Sequence, residues 1–86
     1  MEKIRIDLVR LKTEEDALKR FGRLKGMPAD YNSELEELHG ILQAWDKPLK
    51  IEIVIGGNIG PFTKLMEMLE DVRKTNNNLL FVVIMY

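Results

Sequence analysis

The sequence predicts an α/β domain, a small two-layer fold in which a three-stranded parallel sheet packs against helices. Three observations predict it. Aliphatic and charged residues alternate in KIRIDLV (3–9) and again in PLKIEIVI (48–55), the period-2 signature of strands with one buried face. LLFVVIMY (79–86) is continuously apolar and rich in β-branched and aromatic residues, the pattern of a strand buried on both faces, so its expected place is the centre of the sheet. Helix-period stretches separate the three, and strands joined by helices pair in parallel because the crossover returns the chain in the same direction.

In the first strand Ile4, Ile6 and Leu8 form the inward row. TEEDALKRFGRLKG (13–26) follows as a helix, with Thr13 as N-cap, Asp16 three residues on, apolar Ala17, Leu18, Phe21 and Leu24, and Gly26 placed to end it. After Pro28, Ser33 and Glu36 match the S-x-x-E capping box of a second helix, in which Leu35, Leu38, Leu42 and Trp45 recur at helical spacing. The second strand runs from Leu49 to Ile55. GGNIGP (56–61) reads as a flexible loop, and Pro61 suits the first turn of a third helix with Phe62, Leu65, Met66, Leu69 and Val72 on its apolar side. The asparagines at 76–78 are turn chemistry, since Asn tolerates the left-handed conformation that ends helices.

The 86 residues, 45% hydrophobic and 31% charged, have the composition of one soluble globular domain spanning 1–86. A chain this short builds deep clefts with difficulty, which favours a surface that binds over a pocket that reacts. With no cysteine, disulfides, thiolate metal sites and cysteine nucleophiles are excluded. MEKIRIDLV lacks the apolar run of a signal peptide and no later run has membrane-spanning length, so the expected location is cytoplasmic.

The net charge of −1 does not suggest a nucleic-acid binder, but the charge is segregated. Residues 28–46 hold Asp30, Glu34, Glu36, Glu37 and Asp46 and no Lys or Arg, whereas both flanking segments are net basic.

Catalytic constellations are sparse. His39 is the only histidine, and Ser33, the only serine, is accounted for as a helix cap, which leaves no Ser-His-acid triad. One histidine without cysteine is too few ligands for zinc. The strand-glycine-helix junction IVIGGNIGPF (53–62) could offer backbone N–H groups to a phosphate, but its spacing matches neither nucleotide fingerprint, and a connecting loop is the favoured reading. The chain is therefore expected to be no enzyme, and to use neither cofactor nor metal.

On a wheel of about 100° per residue, Leu35, Leu38, Ile41, Leu42 and Trp45 face the core, while Glu36, His39, Gly40 and Gln43 gather on the outer side. The helix dipole explains the early glutamates but not the lack of any cation through residue 46. Gly40 costs about 1 kcal/mol relative to alanine inside a helix. Two readings stand: another surface comes close to the backbone there, or the site is exposed and tolerant. His39 and Trp45 each admit a core role and a contact role.

Pro28, Tyr31, Leu35, Glu36, Leu38, Leu42, Trp45 and Pro48-Leu49, with similarity continuing from Leu65 to Val83, resemble the barstar family of intracellular ribonuclease inhibitors. The resemblance covers most of the chain and is low residue by residue. It implies a protein inhibitor whose second helix and preceding loop plug a basic ribonuclease active site, carboxylates standing where RNA phosphates would sit. Carried onto this chain, Glu36 and Asp71 take acidic contact positions, and Tyr31 and Trp45 the aromatic flank. The departures are as informative: the family's principal inhibitory aspartate falls at Gly40, its helix tryptophan at His39, a loop tyrosine at Asp30, and a second acid of the last helix at Thr75. The expected partner-binding set is thus Asp30, Tyr31, Glu36, His39, Gly40, Gln43, Trp45 and Asp71. The expected partner is a basic protein, a ribonuclease or related toxin, with no direct contact to nucleic acid or membrane and a monomer when free. The alternatives are an interaction domain that keeps the fold without inhibiting and a small phosphate-binding domain.

Overall fold

A computed structural model describes residues 2–86. The elements run β1 (Glu2–Asp7), α1 (Glu14–Phe21), α2 (Leu35–Gln43), β2 (Leu49–Ile55), a 3-10 turn (Gly60–Phe62), α3 (Thr63–Thr75) and β3 (Leu79–Met85). All strand pairs are parallel, in the order β1-β2-β3, which is the α/β architecture the sequence predicts. No helix of the described residues is long and apolar enough to cross a membrane.

Alternation decides which face of the sheet is covered. Ile6 of β1, Leu49, Ile51, Ile53 and Ile55 of β2, and Leu79 of β3 are buried against Leu18, Phe21, Leu38, Leu42, Leu65 and Leu69 of the helices. The opposite face carries Lys3, Arg5, Lys50 and Glu52 at one side and Leu80, Val82 and Ile84 at the other, with Arg5 Nη2 3.5 Å from Glu52 Oε1. All three helices thus lie on one face, and the other carries no helix, although Val54 at its centre is only 4% exposed.

The central strand is β2, which corrects the expected place of the last segment. Right-handed βαβ crossovers that keep their helices on one face of a sheet advance in one direction, so the third strand ends at an edge. The apolar run there is buried at Leu79 and open beyond it: Leu80, Val83, Met85 and Tyr86 are 45, 48, 61 and 89% exposed.

Local chemistry departs from expectation at three helix ends. Thr13 caps α1 as predicted, its Oγ1 accepting from the Asp16 N–H at 3.2 Å, but the helix stops at Phe21 rather than at Gly26. Residues 22–27 continue in tighter turns, Leu24 N–H to Phe21 O and Met27 N–H to Leu24 O, which still bury Leu24. Gly26 takes φ +99°, a left-handed conformation that a side chain resists.

The Ser33 capping box does not form. Ser33 sits at φ 61°, Glu34 occupies the cap position without a side-chain bond, and Glu37 Oε1 instead accepts from the Asn32 N–H at 2.8 Å. A left-handed Ser33 reverses the chain just before the helix, which puts the carboxylate one residue further on within reach of the loop.

The asparagines are not left-handed. Asn76 is extended (φ −129°) and buried, its amide Nδ2 directed at the carbonyls of Leu42 (2.9 Å), Gln43 (3.3 Å) and Trp45 (2.9 Å), while its Oδ1 accepts from the Asn78 N–H at 2.9 Å. One side chain thereby pairs Gln43 O at the end of α2, adds a second donor to Leu42 O, holds the carbonyl of Trp45 beyond it, and fixes the start of β3.

Candidate functional site on the second helix

Burial along α2 follows its period: Leu38 and Leu42 are fully buried, Leu35, Ile41 and Trp45 partly so, and Glu36, Gly40 and Gln43 are exposed. The outer strip predicted from the wheel is therefore a surface strip. An alanine Cβ built at Gly40 would meet nothing within 4 Å, so no group of this chain requires the glycine.

One flank of the strip is tied to α3. His39, partly buried, donates from Nε2 to Asp71 Oδ2 at 2.9 Å. Two predicted contact residues distant in sequence are brought together, and Asp71 is already engaged by this bond.

The other flank is built from the loop and the end of the helix. Tyr31 is half-buried, and its hydroxyl donates to Leu18 O at 2.7 Å. Burial, then the nearby Glu37 charge, push its pKa up to about 12, against a smaller opposing effect of a hydrogen bond with Ser33. Its polar end is used inside the molecule, where it locks the loop onto α1. Trp45 lies just past the helix with its ring 3.5 Å from where a Cβ of Gly26 would stand, and its carbonyl is held by Asn76 and Asn78. Gly26, Pro28, Ile41, Ala44 and Trp45 line an open groove of 690 Å³ beside the strip.

The acidic block is only partly continuous. Among the described residues none of Asp30, Glu34, Glu36, Glu37 and Asp46 forms a salt bridge. Glu37 is nevertheless committed to the loop, and Asp46 shares its groove with Lys25 and Lys47. The freely presented carboxylates are those of Asp30, Glu34 and Glu36, at the N-terminal end of α2. Sequence reasoning placed Lys25 and Lys47 in other segments; Lys47 reaches this groove as the chain neighbour of Asp46, whereas Lys25, which follows α1, is brought there by the fold.

The glycine loop after β2 offers less to an anion than its composition suggests. Gly60 N–H is taken by Asn58 Oδ1 at 3.1 Å and Phe62 N–H by Ile59 O at 2.8 Å. Its glycines all have ordinary backbone conformations, since Gly26 is the glycine of positive φ among the described residues.

No protein-family model matches the chain, and no curated protein is similar enough to count as a match. The class that fold and surface define is a small parallel α/β domain with an exposed polar strip on its second helix.

Proposed function

We propose that this chain is a barstar-like inhibitor that acts in the cytoplasm by laying its second helix and the preceding loop over the active site of a basic ribonuclease or related toxin. The observation that carries the reading is the pairing pattern of the 28–46 segment: it contains no Lys or Arg, and Asp30, Glu34 and Glu36 keep their charges free of salt bridges. Unneutralised carboxylates exposed in the loop and at the start of α2 attract a cationic surface at long range and raise its association rate. Binding by occlusion requires no catalytic group and no cofactor.

Open space at Gly40 supports a second reading, a domain that keeps the docking helix without the plug. A partner side chain projecting into that gap replaces the missing central carboxylate, and affinity then comes from contact rather than from a buried charge pair. Under this reading the chain binds its partner without inhibiting a barstar-sensitive ribonuclease.

The experiment is partner capture from native extract with the wild type and Glu36→Lys, together with a ribonuclease inhibition assay on the wild type and Gly40→Asp. Loss of a basic partner with Glu36→Lys, and an association rate that falls steeply with ionic strength, support the docking face. Capture unchanged by Glu36→Lys removes α2 from consideration. Inhibition of the captured ribonuclease by the wild type supports the inhibitor reading, and capture without inhibition favours the second; inhibition of a barstar-sensitive ribonuclease gained only with Gly40→Asp places the missing plug at that position.

A further inference from the structure

We propose that the free edge of β3 is a self-association surface, through which two copies of this chain pair their β3 strands antiparallel about a twofold axis at Val83. The product is one continuous six-stranded sheet made of two three-stranded halves. The proposal sets aside the expectation of a free monomer and uses a surface other than the α2 strip.

The two edges of the sheet are treated differently by the sequence. The β1 edge carries Glu2, Lys3, Arg5 and Asp7, charges that oppose pairing with another strand, whereas no charged residue and no proline occurs from Thr75 to Tyr86. The backbone of β3 is also ready to pair. Tyr86 N–H donates to Ile55 O and Asn78 O accepts from Leu49 N–H, so the even-numbered residues face β2. The N–H and C=O groups of Phe81, Val83 and Met85 consequently point away from the sheet.

A twofold axis at Val83 satisfies all of these groups with about six inter-strand hydrogen bonds, Val83 opposite its own copy and Phe81 opposite Met85. On the helix-free face the same register sets Val82 opposite Ile84 and Leu80 opposite Tyr86. Every cross-strand pair is apolar, and no like charges meet. On the helix side, Ile53, Ile59, Met66, Val83 and Met85 line a 350 Å³ groove whose bordering charges, Glu70 and Arg73, already pair with each other (Nε to Oε2, 3.1 Å). The phenylalanine and methionine of the second copy would enter that groove.

The available area reaches the threshold. With Leu80, Val83, Met85 and Tyr86 exposed as above and Ile59 45% exposed, each copy can contribute at most on the order of 600 Å², and the pair about 1,200 Å², the lower bound of specific interfaces.

The test is sedimentation of the full chain from low to high micromolar concentration, with amide exchange read at Phe81, Val83 and Met85. The expected result is a concentration-dependent dimer in which those three amides are slowed. Val83→Lys and Val83→Glu each place two like charges on the axis, and each should weaken self-association by roughly 100-fold or more, about 2.7 kcal/mol. An equimolar mixture of the two variants should restore a dimer, which a merely misfolded variant cannot do. Glu36→Lys, which tests the α2 reading, should leave the dimer intact. A wild type monomeric throughout, as it would be if the edge instead accepts an extended peptide of another protein, overturns the proposal. So does a dimer that survives Val83→Lys, or a mixture that stays monomeric.

Discussion

His39 Nε2 lies 2.9 Å from Asp71 Oδ2, and this bond joins the outer strip of α2 to the middle of α3. Both side chains are partly open to solvent, so the pair is screened and its geometry costs side-chain entropy. A double-mutant cycle with His39→Ala and Asp71→Ala should give a coupling of about 0.2–1 kcal/mol that falls as salt rises. Coupling indistinguishable from zero at low salt would mean the bond does not hold the helices together in solution.

Asn76 should matter far more to stability than any surface pair. Its amide serves carbonyls of α2 and of the following turn from a buried position. Asn76→Ala leaves Gln43 O and the Asn78 N–H without their partners, while Leu42 O keeps the Trp45 N–H and Trp45 O keeps Asn78 Nδ2. The expected loss is about 2–3 kcal/mol in chemical denaturation, since each buried unsatisfied polar group costs about 1–3 kcal/mol. Asn76→Asp keeps the shape but turns a carboxylate toward carbonyl oxygens, and should be worse at neutral pH.

Asn76 also marks the boundary of what the sequence makes legible. Strand alternation, helix periods and the Thr13 cap depend on neighbours in the chain, and the alternation predicts the second strand over 49–55, the range it occupies. The place of β3 was not legible, because a continuous apolar run is the pattern both of a strand buried on two faces and of an edge strand with uncovered apolar residues. Ser33, followed by glutamates, satisfied a capping pattern, yet loop closure against α1 through Tyr31 accompanies a left-handed Ser33. At the candidate site the exposed strip of Glu36, Gly40 and Gln43 was readable from period alone. The His39–Asp71 bond and the presence of Lys25 in the Trp45 groove depend on tertiary packing, which one helix does not encode.

Two glycines near the site should respond oppositely to alanine. Gly40 is helical with open space around it, so Gly40→Ala should raise stability by about 1 kcal/mol. Gly26 has φ +99° with the Trp45 ring beside it, and Gly26→Ala should lower stability by about 1–2 kcal/mol. Denaturant midpoints of the two variants against wild type decide the matter. A Gly40→Ala protein no more stable than wild type would mean that the glycine serves the free chain after all.

Tyr31 should make the fold sensitive to alkali in a defined window. Its pKa is about 12 in the folded chain because burial, and then the Glu37 charge, disfavour the phenolate, whereas the unfolded value is near 10. Below about pH 10 both states keep the proton and stability does not depend on this group. Between about 10 and 12 the unfolded chain releases the proton while the folded chain retains it, so the unfolded state binds fewer protons and stability falls with rising pH. Partial exposure of the ring reduces the effect through solvent screening to about 1 kcal/mol. Tyr31→Phe lacks the titrating group and should show no such decline. At neutral pH the variant should be about 1 kcal/mol less stable than wild type, through loss of the bond to Leu18 O. That difference should shrink toward zero by pH 12, as measured by urea unfolding at fixed ionic strength. A difference that stays constant from pH 8 to 12 would show that the hydroxyl is solvated in the folded chain and that the loop is not locked onto α1.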